Sequence, residues 1–275
     1  MRKLPVFILL VSIQLTRAAD FQIEANIHYD RYAETVVDIL QARAPALKNR
    51  PGVIMIHGGG WVQGEKESVV ERFCVPLIQH GFVVANVEYR LANVGPAPAA
   101  VHDVLNAAKW FHGHAADYKV DADHILVMGD SAGGHLALMT GMTPASADLG
   151  TATKIAAIVD FYGIADVADQ IEGAHRRDYA EAWIPEQPDR MELARRLSPL
   201  SYVRKGLPPI LAIHGDADSV VPFDQSVRLT GALKSAGSDA ELIAVPGGQH
   251  GFSPEEMDKL WPQIFKWLKK HKITS

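Results

Sequence analysis

The sequence predicts an α/β fold: a mostly parallel, doubly wound sheet with an antiparallel N-terminal edge and a small helical insertion. Three observations carry this expectation. Short, uniformly apolar runs recur along the chain, amphipathic stretches of helical length separate them, and one polar, proline-bearing segment over residues 163–203 interrupts the alternation. Unbroken apolar runs are what strands require when helices cover both faces of a parallel sheet, because neither face then meets water. Regular strand–helix alternation implies right-handed crossovers within one such sheet.

Taken in order, residues 1–18 have the layout of a secretory leader: Arg2 and Lys3, an apolar stretch from Leu4 to Leu15, then Thr16-Arg17-Ala18 with small residues at −3 and −1 for cleavage after Ala18. The apolar run is shorter than the roughly 20 residues a bilayer span needs, and no later segment reaches that length. The expectation is therefore a secreted or periplasmic protein with its folded domain over 19–275. Phe21 to Leu40 holds two alternating segments around Asp30-Arg31, read as an antiparallel hairpin at the sheet edge.

Val53–Ile56, Val83–Val87, Ile125–Met128, Ala156–Val159, Ile210–Ile213 and Leu242–Val245 read as buried strands. Ser68–His80, Ala97–Ala116, Phe223–Ala236 and Pro254–Lys270 read as helices. Within the second helix Val101, Val104, Leu105, Ala108 and Phe111 recur at steps of three and four, and within the last Leu260, Ile264 and Leu268 do. Residues 163–203 would form a helical excursion over the carboxyl ends of the strands, where open α/β sheets bind ligands.

Composition limits the function classes. The chain has 275 residues, 48% of them hydrophobic, and a formal net charge of −5. A mildly acidic chain without basic runs lacks the face that releases phosphate counterions, so no nucleic-acid partner is expected. Cys74 is the single cysteine and sits between Phe73 and Val75, which reads as a buried, inert thiol. No second cysteine and no tight His/Cys/Asp spacing offers a structural zinc site.

The chemistry concentrates in four loops. Gly129-Asp130-Ser131-Ala132-Gly133 fits G-x-S-x-G and stands between the Ile125–Met128 strand and the helix-like Gly134–Met139. A nucleophilic serine needs such a sharp strand-to-helix turn, with small neighbours to let it close and a helix N-terminus to favour developing negative charge. His57-Gly58-Gly59-Gly60-Trp61 follows the Val53–Ile56 strand. Its glycines let backbone N–H groups face a substrate oxygen, and no P-loop lysine or G-x-G-x-x-G pattern points to phosphate instead. Gly59 and Gly60, with Ala132 after the serine, are the expected oxyanion donors, and Gly58 is the ambiguous member.

A serine hydroxyl needs a base to remove its proton. Of twelve histidines, His250 lies in the glycine-rich loop Gly247–Phe252 after the last strand, where an imidazole can reach the serine. His57 and His214 end strands beside glycines and read as loop braces; His28, His80, His112, His114 and His124 read as surface residues. The orienting acid should follow a strand between Ser131 and His250. His214-Gly215-Asp216-Ala217-Asp218 offers two: Asp218, further into the loop, as the triad acid, and Asp216 as a turn cap.

These motifs, together with Val87-Glu88-Tyr89-Arg90-Leu91, resemble the α/β-hydrolase superfamily over essentially the whole chain after the leader. More narrowly the chain resembles the hormone-sensitive-lipase-like esterases and the bifunctional feruloyl and acetyl-xylan esterase-like proteins. The resemblance implies the Ser131-Asp218-His250 triad, an oxyanion hole at the matched glycines and Ala132, no cofactor, and a carboxylic ester substrate. Hormone-sensitive-lipase-like members usually carry a substantial helical cap before the first strands. Here about thirty residues separate the expected cleavage site from Lys48, and they read as strands, which favours the feruloyl and acetyl esterase-like branch.

The expected activity is that of a serine carboxylesterase acting on short-chain or carbohydrate-linked esters, with a small-molecule or carbohydrate ester as partner. An amidase or formamidase using the same triad, as in the similar kynurenine formamidases, and a non-catalytic binding protein on the same fold stay open. Trp61, Tyr162, Trp183, Phe223 and Phe252 are candidates to line an acyl or aromatic pocket, and Asp160, Asp166 and Arg176 to touch a sugar, with packing or a solvated face the alternative for each.

Overall fold

The computed structural model describes residues 21–43, 49–172 and 174–274; the leader expected over residues 1–18 lies outside them. Eight strands form one sheet: β1 (Phe21–His28), β2 (Val36–Ala42), β3 (Arg50–Ile56), β4 (Val83–Val87), β5 (Val120–Asp130), β6 (Ile158–Phe161), β7 (Ile210–Gly215) and β8 (Ala240–Val245). Their order is β1-β2-β4-β3-β5-β6-β7-β8. β1 pairs antiparallel with β2 and β2 antiparallel with β4, while every pair from β4 to β8 is parallel. The N-terminal hairpin therefore extends a parallel sheet at one edge.

Side-chain alternation splits the core in two. On β3, Ile54 and Ile56 join the cluster that contains Val101, Val104, Leu105 and Phe111 of α2 (after α1, Val75–Gln79; α2 spans Ala99–Gly113), whereas Val53 and Met55 join the opposite cluster. That second cluster holds Met257, Leu260, Ile264, Trp267 and Leu268 of the last helix. All four β3 residues are fully buried because both faces are covered, which is why the run reads as continuous rather than alternating.

The helix after β5, α3 (Ala132–Met142), is buried on nearly every side, as its sequence Ala-Gly-Gly-His-Leu-Ala-Leu-Met without a charged face dictates. Residues 163–203 between β6 and β7 carry two short helices, α4 (Asp178–Trp183) and α5 (Arg190–Arg196). α6 (Asp224–Ser235) follows β7, and α7 (Pro254–Lys270) closes the chain behind a capping box formed by Ser253 and Glu256. None of the helices in the described residues is long and apolar enough to cross a membrane.

Two expectations are corrected. The helix expected over Ser68–His80 is instead a 3₁₀ turn (Lys66–Val69), a wide π turn (Val70–Cys74) and the short α1. Pro76 explains the break: it has no N–H for the carbonyl four residues back, on Arg72, and its ring crowds that carbonyl, so the preceding turn widens. β6 runs Ile158–Phe161, two residues later than the apolar run Ala156–Val159, because its partner β5 extends to Asp130 and pairs with Phe161. Cys74 is fully buried, and burial pushes its thiol far above the range of a reactive cysteine.

Asp160 on β6 is fully buried against α3, where its Oδ1 accepts the Gly163 N–H at 2.9 Å and its Oδ2 has no hydrogen-bond partner. It touches no cavity lined by the serine loop, which removes it from the sugar-contact candidates. Burial raises its carboxyl to about 7, against the opposing pull of His214 and the Gly163 amide. In the unfolded chain an aspartate titrates near 3.9, so between those values the folded state holds a proton that the unfolded state has lost. The stabilisation this gives is complete below about pH 4 and is lost as pH rises to about 7. Asp160→Asn removes that titration: the melting-temperature difference between variant and parent should shift in the variant's favour from pH 4 to 7 and stay level above, as read by thermal melts. A difference constant with pH would contradict this.

Candidate active site

The carboxyl ends of β3, β5, β7 and β8 bring the four motif loops to one rim of the sheet. Ser131 joins β5 to α3 with φ +54° and ψ −119°, a conformation costly for a non-glycine residue. The turn is held by a hydrogen bond from its N–H to the Phe161 carbonyl (2.8 Å) and by the first turn of α3. Gly133 makes that closure possible: a Cβ there would lie 2.1 Å from the Ile56 carbonyl oxygen and 2.6 Å from that of His57. Only glycine lets α3 begin directly against the end of β3.

His250 leaves the loop after β8 with Nε2 2.9 Å from the Ser131 Oγ and Nδ1 2.7 Å from Asp218 Oδ2. Asp218 is shielded from solvent and its Oδ1 accepts the N–H groups of Val220 (2.8 Å) and Val221 (2.9 Å). Burial alone would raise this carboxyl; hydrogen bonding from His214 and His250 and from the Val220 amide outweighs burial and holds it well below the usual carboxylate range. The group facing Nδ1 is thus an anion, which places the Nδ1 proton between them and leaves Nε2 to accept from the serine. Asp216 does not reach His250; its Oδ1 accepts the Gly247 N–H at 2.7 Å and so ties the acid loop to the histidine loop.

The glycine loop after β3 turns sharply, with Gly59 at φ +115° and Gly60 at φ +61°. The Gly58 N–H is occupied, donating to Asp130 Oδ1 at 2.9 Å, which removes it from the oxyanion donors. Among the described residues the N–H groups of Gly59 and Gly60 have no protein acceptor, and neither does that of Ala132, the first residue of α3. Asp130 thus acts across 72 residues of chain, holding the glycine loop beside the serine. Burial pushes its carboxyl upward, opposed by His57, the Gly58 amide, Arg72 and His250.

His57 and His214 brace the rim. His57 bonds to the Gly58 carbonyl (2.7 Å) and Glu88 Oε1 (2.9 Å), and stacks on Tyr89 at 4.4 Å. Glu88 also accepts the Lys66 N–H, and Arg90 forks onto Asp103, which accounts for the Glu88-Tyr89-Arg90 motif as scaffolding. His214 bonds Ser226 Oγ (2.8 Å) and the Val221 carbonyl (3.0 Å), with Nε2 3.3 Å from Asp218.

The serine opens into a cavity of about 670 Å³ that Gly58–Gly60, Arg72, Phe73, Tyr162, Tyr179, Val220 and His250 help to line. Of the aromatic candidates only Tyr162 reaches it, its ring 4.8 Å from that of His250. Trp61 and Trp183 are corrected to core: both are fully buried and stacked at 4.2 Å, behind the wall. Trp61 Nε1 donates to His135 Nδ1 at 3.2 Å and His135 Nε2 donates to the Leu197 carbonyl at 2.7 Å. Burial lowers His135 to about 4, so it is the neutral ring this chain of bonds requires. Phe223 packs on His214, and Phe252 on Tyr162 and Phe161, both outside the lining. Asp166 pairs with Arg228 and Arg176 with Glu181, away from the cavity. Sequence reasoning missed Tyr179 and Arg72, which come from the helical insertion and the widened turn and carry no local motif.

The family model BD-FAE matches residues 37–233. Esterase LipC of Mycobacterium tuberculosis (strain ATCC 25618 / H37Rv) is 30% identical over 228 residues, covering 79% of this chain and 57% of that protein; the chain thus spans little more than half its length. Among solved structures, a truncated carbohydrate esterase from gut microbiota superposes with a TM-score of 0.82 at 27% identity, over 93% of this chain and 98% of the other. A bifunctional GH43-CE protein of Bacteroides eggerthii gives 0.79 at 28%, over 91% of this chain and 38% of that one. The eight-stranded sheet, its antiparallel edge and these relatives make this an α/β-hydrolase fold, and the chain belongs to the BD-FAE family.

Proposed function

We propose that the protein is a serine carboxylesterase acting on short-chain or carbohydrate-linked esters through Ser131, His250 and Asp218. The observation that carries this reading is the unbroken line Ser131 Oγ, His250 Nε2, His250 Nδ1, Asp218 Oδ2, with links of 2.9 and 2.7 Å, facing free backbone N–H groups of Gly59, Gly60 and Ala132. His250 takes the Ser131 proton as Oγ bonds to the ester carbonyl carbon. The carbonyl electrons move onto oxygen, where the three amides hold the oxyanion. As the tetrahedral species collapses, His250 returns the proton to the leaving alcohol and an acyl-serine remains. Water, deprotonated by His250, then attacks that acyl group and releases the acid and the serine.

The glycine loop, Phe73 and Tyr179 line the cavity together with Ser131, which offers apolar surface for a short acyl group to pack against. Carbohydrate-linked esters are supported by the likeness to the carbohydrate esterase and the GH43-CE protein.

Ser131→Ala should lower kcat by roughly 10⁶-fold while the melting temperature is retained, and a fluorophosphonate should label the parent only. Activity surviving in this variant would remove the proposal. A series of p-nitrophenyl esters beside methyl ferulate, acetylated xylan and an aryl formamide reads the substrate; faster amide than ester turnover would favour the formamidase alternative. Asp218→Asn should cost on the order of 10⁴ in kcat, since a neutral amide no longer stabilises the imidazolium. Asp130→Ala leaves the Gly58 N–H without its charged acceptor and should lower kcat about 10–100-fold with little change in KM. Asp130→Asn, which keeps an acceptor oxygen, should recover most of it; equal loss in both variants would refute this positioning role.

A further inference from the structure

Arg72 stands apart from the chemistry above. It is the only lysine or arginine lining the catalytic cavity among the described residues, and no carboxylate there forms an ion pair with it. It sits in the widened turn before Pro76. The guanidinium carbon lies 6.0 Å from the Phe73 ring centroid, and Tyr162 lines the same cavity. One of its nitrogens is 3.9 Å from where a Cβ on Gly251 would sit, which puts it beside His250. The one acid in the cavity wall, Asp130, already accepts the Gly58 N–H.

A guanidinium exposed to the cavity, near Asp130 but in no ion pair among the described residues, can receive a planar anion, which it grips through two parallel N–H donors. Building on the esterase reading above, we propose that Arg72 selects esters that carry a free carboxylate a few atoms from the scissile bond. The carboxylate belongs either to the acyl part, as in a half-ester of a dicarboxylic acid, or to the alcohol, as in an acetylated hydroxy acid or uronic acid. Arg72 is a specificity residue in this account: it binds the substrate and takes no part in proton transfer.

Two matched pairs test it. For the acyl arm, p-nitrophenyl hemiglutarate is compared with p-nitrophenyl butyrate; for the alcohol arm, acetoxyacetate with acetoxyacetamide. The readout is the ratio of kcat/KM for the anionic over the neutral ester, in the parent, Arg72→Gln and Arg72→Lys. In at least one arm Arg72→Gln should lower that ratio about tenfold, Arg72→Lys should restore part of it, and added salt should shrink the parent's ratio, since the contact is partly exposed. The responding arm identifies which side of the ester bears the charge. Ratios that ignore Arg72→Gln in both arms, with the neutral esters still turned over, overturn this inference alone. Failure of the parent to hydrolyse any of the four esters overturns the esterase reading and this one with it.

Discussion

The site depends on one close approach: the start of α3 against the carbonyls of Ile56 and His57. Because Gly133 presents no side chain, the helix that follows the serine can begin where β3 ends, and the two loops leaving β3 and β5 share one rim. The positive φ at Ser131 follows from the same crowding, since the chain must reverse from strand to helix within a single residue. The Asp130–Gly58 hydrogen bond then ties the two loops in register. A larger residue at 133 would push β3 and α3 apart and separate hydroxyl from amides together, so the serine turn and the glycine loop are not independent parts.

Charge follows the same logic of supply from fixed backbone groups. Asp218 stays anionic out of solvent because two successive backbone amides and two imidazoles converge on it. Asp160, on the neighbouring strand of the same sheet, has one amide and an unpartnered oxygen, and its carboxyl rises instead. Two buried aspartates of one fold thus shift in opposite directions, and the difference lies in how many donors the local turn delivers.

Much of this was legible from the residues. The strands Val53–Ile56 and Ile210–Ile213 declare themselves because burial on both faces leaves an apolar run with no polar alternate, and the loops that follow them hold glycine and aspartate at positions the turns demand. Asp218 was separable from Asp216 by its depth in the loop, and the structure gives Asp216 a bracing bond instead. The cavity wall was not legible. Trp61 and Trp183 look like pocket aromatics in sequence, and only three-dimensional packing reveals that they stack on each other behind it. Arg72 is invisible for another reason: periodicity reads a regular helix there, while a single proline four residues on widens the turn that holds it, and no local motif marks the residue as part of the cavity wall.

The Trp61–Trp183 stack has a mechanical meaning. One ring belongs to the glycine loop and the other to α4 of the insertion, and His135 of α3 links the pair to the Leu197 carbonyl at the far end of that insertion. Swinging the insertion away would tear two indoles out of contact and strand a buried imidazole between broken bonds. It therefore behaves as a riveted awning, not a hinged door. The stack thus fixes the insertion against the glycine loop, and the outline of the cavity mouth is set by packing in the core behind it.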